Sequence, residues 1–292
     1  MNTNQIIDYA DAGTPDDIAS AARNGGVFIT NMPNAAYHGF PYGVSKSGLD
    51  LIEKSPAHYY HAARKEPSRA MEIGTAVHTA ILEPERFAKE YVLLSHVSDR
   101  RASEYREAIK VHGSERVLVS HEADKVAAMQ EAVLSQIGDR ISDGHKELSA
   151  FCADPETGVI VRARYDVLHG GAIDLKKTQD AREREFARSV ANYRYSVQDA
   201  LYSDVYEWIT GERLESFEFA AVEENPPHTA CVYPLDDEWR GYGRVCYRRN
   251  LDTFAQCERS GEWPHYQPES RILSAPGWMA AEIEEEIVGG VV

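Results

Sequence analysis

Cysteine is scarce in this chain of 292 residues; Cys152, Cys231, Cys246 and Cys257 are all it has. None pairs as C-x-x-C and none lies at zinc-ligand spacing, so free reduced thiols are expected rather than a disulfide framework or a zinc site. An iron–sulfur cluster would need a tighter C-terminal set and is not expected either. Long hydrophobic runs are missing: no eighteen consecutive apolar residues occur, so no transmembrane helix is expected. The opening MNTNQIIDYADAG lacks the basic start and apolar core of a secretory leader, which favours a cytoplasmic protein. Basic residues are in deficit, 31 against 47 acidic, for a net charge of −16. That balance argues against a generic nucleic-acid coat. It leaves room for an enzyme that confines its cations to one groove while the acidic remainder repels DNA from other surfaces.

What is present is ordinary in bulk and informative in places. Hydrophobic content of 43% and charged content of 27% are those of a globular protein, long enough for one large domain or a domain with an extension. The most informative stretch is Gly158–Thr178. Val159–Leu168 reads as a strand, His169-Gly170-Gly171 as a turn, and Ala172–Lys176 as a second strand. Side chains two apart on a strand share a face, so Asp174 and Lys176 point together while Leu175 points into the apolar layer. The hairpin brings Asp166 near Asp174. Two carboxylates and an ammonium in adjoining strand positions need compensation, and a divalent metal such as Mg²⁺ or Mn²⁺ supplies it. Cations crowd the same region: Arg162, Arg164, Lys176, Lys177, Arg182, Arg184 and Arg188.

Upstream, the periodicity predicts a helix beginning at Gly43–Ile52, with Ser45 or Ser47 as its cap, and another after Ser55-Pro56. Met71–Leu82 reads as a small-residue helix with His78 embedded in it. Glu83 to about Lys146 is predicted mostly helical. A short strand over Glu147–Phe151 pairs with Val159–Leu168 through the turn Asp154–Gly158. Glu183–Thr210 is predicted as one long helix whose Gln198 and Tyr202, four apart, lie one above the other. Two further strands fall within Glu215–Asp236, and Gly241–Cys257 reads as a helix. Residues 1–40 are expected to form an arm or small extension, residues 41–275 the main domain, and residues 276–292 a tail that is acidic and then apolar.

Taken in order, these segments resemble a known family. Asp166, followed by Asp174-Leu175-Lys176, resembles the D…(D/E)-x-K signature of the PD-(D/E)xK nucleases. G-T-A-V-H at Gly74–His78 is similar to the G-x-x-x-H motif of RecB- and RecE-type members, and Gln198…Tyr202 to their Q-x-x-x-Y. The strand pair around Pro226-Pro227 and Gly261-Glu262-Trp263-Pro264-His265-Tyr266 also resemble stand-alone RecE-like (exonuclease VIII) phage proteins. One departure is Lys177, which stands where the family commonly carries a hydroxyl residue.

The resemblance implies an α/β fold, a central mixed β-sheet flanked by helices, with the site at one end. It implies a Mg²⁺-dependent exonuclease, Mn²⁺ substituting, that degrades one strand of linear double-stranded DNA 5′→3′ and leaves 3′ tails for a single-strand annealing protein. It further implies a homo-oligomeric ring, a tetramer rather than a trimer, in the cytoplasm of a bacterial host. On the same basis the metal falls to His78, Asp166, Asp174 and the Leu175 carbonyl, with Glu147 in support. Lys176 positions and helps deprotonate the attacking water, and Gln198 and Tyr202 hold the strand. Ser45, Ser47, Arg162, Arg164 and Lys177 are expected against DNA. An endonuclease, a nuclease of other polarity, or an inactive DNA-binding protein on the same core are the alternatives.

Overall fold

The computed structural model of the protein describes residues 6–63, 66–266, 270 and 272–289. The elements begin with β1 (Ile6–Asp8), α1 (Pro15–Arg23), β2 (Val27–Thr30), α2 (Asn34–His38), β3 (Val44–Ser45), α3 (Lys46–Lys54) and α4 (Pro56–Tyr60). They continue with α5 (Arg69–Leu82), α6 (Pro84–Glu90), β4 (Val92–Leu94), α7 (Ser103–His112), β5 (Val117–Val119) and α8 (Ser120–Asp143). Then come β6 (His145–Ala153), β7 (Ile160–His169), β8 (Gly171–Thr178), α9 (Glu183–Asn192) and α10 (Tyr195–Thr210). Last are β9 (Phe217–Glu223), β10 (Ala230–Pro234), α11 (Asp237–Ser260) and α12 (Gly277–Gly289).

The main sheet is mixed and runs β1-β2-β6-β7-β8-β9-β10, with β3 on β7; β4 and β5 make a separate parallel pair. Pairing is antiparallel from β2 through β8, while β8 and β9 run parallel. Helices cover both faces. On β8 the side chains alternate as a strand requires. Ala172 packs with α3, α9, α10 and α11, whereas Ile173 and Leu175 pack with α5 and α8 on the other face. This is the α/β architecture expected from the sequence.

One local feature of the sheet positions everything that follows. β7 and β8 are paired only near their turn, at Val167↔Ile173, Leu168↔Ala172 and His169↔Gly171. Beyond that point β8 leans to β9, pairing with it as far as Thr178↔Glu223. β7 stays with β6 back to Ile160. Its vacated edge is taken up again by β3, at Val44↔Val161 and Ser45↔Arg162. The sheet therefore forks, and Asp166 and Asp174 stand where the two strands part.

Helix α11 fastens the helical layer through arginines four residues apart. Arg240 pairs with Asp199 at 2.9 Å, Arg244 with Asp204 at 2.6 Å, and Arg248 with Asp154 at 2.5 Å. All three carboxylates are buried, and each is bound by a guanidinium able to make paired N–H···O bonds, which offsets its loss of water. Gly243 lies against α10 so closely that a Cβ there would sit 2.0 Å from the Ser196 carbonyl oxygen.

The structure corrects one expectation and refines three others. Of the arm or small extension expected over residues 1–40, the described residues 6–40 form short elements: β1 and β2 extend the sheet, and α1 packs a small core with Ile29, Phe151 and Ile160. Strands of three and four residues are too short to show a period, which hid them. The segment 183–210 is two helices, broken where Arg194 takes a left-handed φ of 54°. Within the stretch expected to be mostly helical, the three-residue strands β4 and β5 appear, again below the length at which alternation can be read. The tail carries an exposed helix over Gly277–Gly289, and its residues 290–292 lie outside the described residues. No helix among the described residues is long and apolar enough to cross a membrane.

Candidate active site

Three carboxylates line up across the fork, one per strand. On β6, Glu147 sits between the registered pairs Lys146↔Val167 and Leu148↔Tyr165, and so lies opposite Asp166 of β7. The pairs at the β7–β8 turn place Asp166 opposite Asp174 in turn. Where the strands separate, the Asp166 side chain replaces the missing backbone acceptor: its Oδ2 accepts the Leu175 N–H at 2.7 Å. Glu147 has a φ of 51°, a left-handed conformation that non-glycine residues seldom hold unless their surroundings impose it. Here Arg164 holds the Glu147 carboxylate at 2.8 Å.

From the opposite side α5 presents His78. Its Nε2 lies 3.1 Å from the Leu175 carbonyl oxygen and its Nδ1 3.6 Å from Asp166 Oδ2. From α10 comes Gln198, whose amide donates to Asp174 Oδ1 and whose carbonyl accepts from Lys176 Nζ at 3.1 Å. Lys176 also pairs with Asp174 Oδ2. Gln198 thus fixes the lysine and the carboxylate relative to one another. Tyr202 is buried one turn further along; its ring meets Tyr165, whose hydroxyl donates to the Tyr202 carbonyl at 2.6 Å. All of these side chains except Tyr165 line one cleft of about 680 Å³.

Crowding acids in a buried cleft makes their charge costly. Burial, then the neighbouring Asp166, pushes Glu147 up to about 7. Asp166 is driven well above the ordinary carboxylate range by burial and by the charge on Asp174. Burial lowers His78, so its imidazole is neutral and able to ligate. Burial works against the charge on Lys176, but Asp174 and Asp166 outweigh it and raise its pKa. Lys176 is therefore a firmly protonated donor, suited to positioning the water rather than to the deprotonation expected of it.

The donor set fits a hard divalent cation. His78, Glu147 and Asp166 each offer a ligand atom, all within 4.8 Å of one another. Asp174 and the Leu175 carbonyl adjoin them in the same cleft. Oxygen ligands with one imidazole suit Mg²⁺ or Mn²⁺. A 2+ charge also removes the repulsion that raises the two acids.

The residues expected against DNA divide. Ser45 and Ser47 line the cleft; Ser45 caps α3 and its Oγ lies 3.0 Å from that of Ser47. Lys177 lines it too, paired with Glu224 at 2.6 Å. Arg164 reaches it but is committed to Glu147, to Asn34 and to the Met32 carbonyl. Arg162 does not line it. Its guanidinium donates to the Tyr37 and Phe40 carbonyls at 3.1 and 2.8 Å, because the end of α2 and the residues just after it present carbonyls there. Lining residues that the sequence did not single out include Asn34, Tyr37, Lys46, Glu83 and Tyr195. The first two belong to the segment expected to be an arm or small extension, and Tyr195 follows the unforeseen helix break.

The family model described as "PDDEXK-like domain of unknown function (DUF3799)" matches residues 45–273. That span contains every cleft side chain named above except Asn34 and Tyr37. No curated protein matches the chain. Among solved structures, the crystal structure of "Putative exonuclease" from Eubacterium rectale aligns with a TM-score of 0.57 at 14% identity, covering 86% of this chain and 98% of that one. At that identity the likeness is one of fold. The crystal structure of SSO0001 covers 71% of this chain and 84% of its own at 16% identity, but its TM-score of 0.29 carries no argument.

Proposed function

The chain belongs to the PDDEXK-like family, and from that premise we propose that it is a metal-dependent deoxyribonuclease acting 5′→3′ on the ends of linear duplex DNA. The observation that carries the reading is the fork. It gathers Glu147, Asp166, Asp174, Lys176 and His78 into one cleft, with the lysine held by Gln198. Even with Arg164 paired to Glu147 and Lys176 to Asp174, Asp166 is left buried between two other carboxylates without a cation of its own, an arrangement that a divalent metal would relieve.

His78, Asp166, Asp174, Glu147 and the Leu175 carbonyl would hold Mg²⁺ or Mn²⁺. When bound, the ion supplies Lewis-acid polarisation of the phosphate and activation of water. The chain's own residues do the rest. Lys176 donates to the attacking water or to a phosphate oxygen from a position fixed by Gln198 and Asp174. Gln198 keeps the lysine from collapsing onto the carboxylate alone. Ser45, Ser47 and the N-terminus of α3 offer hydroxyls and a free N–H to a neighbouring phosphate. Tyr202 and Lys177 flank the strand.

The polarity, the 3′-tailed product, an annealing-protein partner, work in the bacterial cytoplasm and a tetrameric ring follow from the RecE resemblance. A ring also suits the charge: with a net −16, the acidic surface stays outward while the cations near the fork line a channel. The test is cleavage of 5′- and 3′-end-labelled linear duplex beside covalently closed circles, with Mg²⁺ or Mn²⁺ titrated. Release of 5′ nucleotides from linear DNA with circles spared is expected. Cutting of circles would move the protein to the endonuclease reading, and metal-independent binding without cleavage to an inactive DNA-binding one.

A further inference from the structure

Beside the cleft a column of aromatic rings runs from the core to the surface. Phe219 on β9 is fully buried. Tyr195, at the start of α10, stacks on it with centroids 5.4 Å apart and planes at 22°. Tyr193 stacks on Tyr195 at 5.6 Å and 26°, and is 61% exposed. The column ends in a ring that is stacked on its inner neighbour and still mostly exposed to water. Its two inner rings face the chemistry: Lys176 Nζ lies 4.7 Å from the Tyr195 centroid and 5.7 Å from that of Phe219. Tyr195 lines the catalytic cleft, and Tyr193 and Tyr195 together line an adjoining hollow of about 420 Å³ that shares Lys177 with it.

The corner that presents Tyr193 is rigidly held. Arg194 takes its left-handed conformation between the two tyrosines, with its guanidinium 3.5 Å from Asp50 and 3.3 Å from Glu53. Lys46 donates to the Tyr193 carbonyl at 2.7 Å and pairs with Asp50 at 2.8 Å. α3 therefore pins the break between α9 and α10 from outside. A tyrosine left open on a pinned turn gains nothing for the fold by its exposure. A flat partner could continue the stack without any ordering of the protein.

We propose that Tyr193 is a stacking platform for a nucleobase of the DNA strand being cut, holding the nucleotide beside the scissile phosphate by its π-face. This rests on the nuclease reading of the cleft and adds to it the group that positions the base. Such a platform discriminates little among bases, because every base has a π-face. It suits an enzyme that must advance along any sequence.

The experiment compares wild type with Tyr193→Ala, Tyr193→Phe and Tyr193→Trp on a linear duplex carrying 2-aminopurine or an abasic residue at the terminal nucleotides. Steady-state cleavage is read in Mg²⁺, and fluorescence quenching on binding is read in Ca²⁺. Tyr193→Ala should raise KM by roughly 5- to 100-fold, the range for one lost base–aromatic stack, with kcat within about twofold of wild type. It should also lose the quenching. Phe and Trp should stay within about twofold of wild type on both readouts, which excludes misfolding as the cause. On the abasic substrate Tyr193→Ala and wild type should coincide. Equal KM and equal quenching for Tyr193→Ala on the intact substrate would overturn the platform and leave the nuclease reading standing. Quenching by wild type but not by Tyr193→Ala, without cleavage by any form, would retire the nuclease reading and leave the platform.

Discussion

Neutralising Glu147 should stabilise the metal-free protein at alkaline pH and leave it unchanged or slightly weaker at acid pH. The folded carboxyl holds its proton to about 7, against an ordinary value of 4.5, because it is buried beside Asp166. Below about 4.5 it is protonated in both folded and unfolded chains, and the penalty is absent. As pH rises from 4.5 through 7 the unfolded chain releases the proton first, so stability is lost across that window and the loss is complete above it. The difference between 7 and 4.5, at 1.36 kcal/mol for each tenfold in proton affinity, sets a ceiling of about 3 kcal/mol. The side chain is 20% exposed and Glu147→Gln also gives up the Arg164 ion pair, so a gain of about 1–2 kcal/mol is expected at pH 8.5 in EDTA. Urea denaturation of both proteins at pH 5 and pH 8.5, with EDTA and with saturating Mn²⁺, reads it. Mn²⁺ should stabilise wild type at pH 8.5 more than the variant. A Glu147→Gln protein less stable than wild type at pH 8.5 in EDTA, or a difference that ignores pH, would refute the reasoning.

Lys176→Ala should cut single-turnover cleavage by roughly 10²–10⁴-fold while Mn²⁺ affinity by titration calorimetry holds or rises, and Arg should not rescue, its guanidinium having a different shape and reach. His78→Ala should weaken Mn²⁺ binding more than it lowers the metal-free melting temperature, and excess Mn²⁺ should restore part of the cleavage; loss of activity only in step with melting would make His78 a packing residue. Gly243→Ala should destabilise by about 1–3 kcal/mol, because the new Cβ meets the Ser196 carbonyl oxygen at 2.0 Å and α11 cannot withdraw without straining its three arginine pairs. Chemical denaturation checks it, and an unchanged midpoint would mean that the two helices slide apart freely.

The parts legible in the sequence were those with local periodicity or short-range turns. The β7–β8 hairpin announces itself through alternation and Gly170-Gly171, and the motif order then brings His78, Gln198 and Tyr202 to it. What escaped depends on contacts distant in sequence. β3 joins β7 through two residue pairs, which no window of residues 44–45 can reveal. The break at Arg194 lies inside an unbroken helical pattern and is held by Asp50 and Glu53 on another helix. Arg162 and Arg164, alike as cations two residues apart, part company because only Arg164 also meets a carboxylate, that of Glu147, and so reaches the cleft.

The fork also leaves a reporter in the backbone. The Leu175 amide is bonded to the Asp166 side chain, Oδ2, rather than to a backbone carbonyl of β7, so its proton senses the charge that the carboxylate carries. Its amide resonance should therefore move as Asp166 titrates, move again when diamagnetic Mg²⁺ binds at the fork, broaden away when paramagnetic Mn²⁺ takes its place, and hold still when DNA binds elsewhere. Its exchange with deuterium should quicken in Asp166→Ala while the amides paired between β8 and β9 keep their protection. A single isotopic label on Leu175 would let the occupancy of the centre be followed without substrate, turnover or any change to the residues that carry the chemistry.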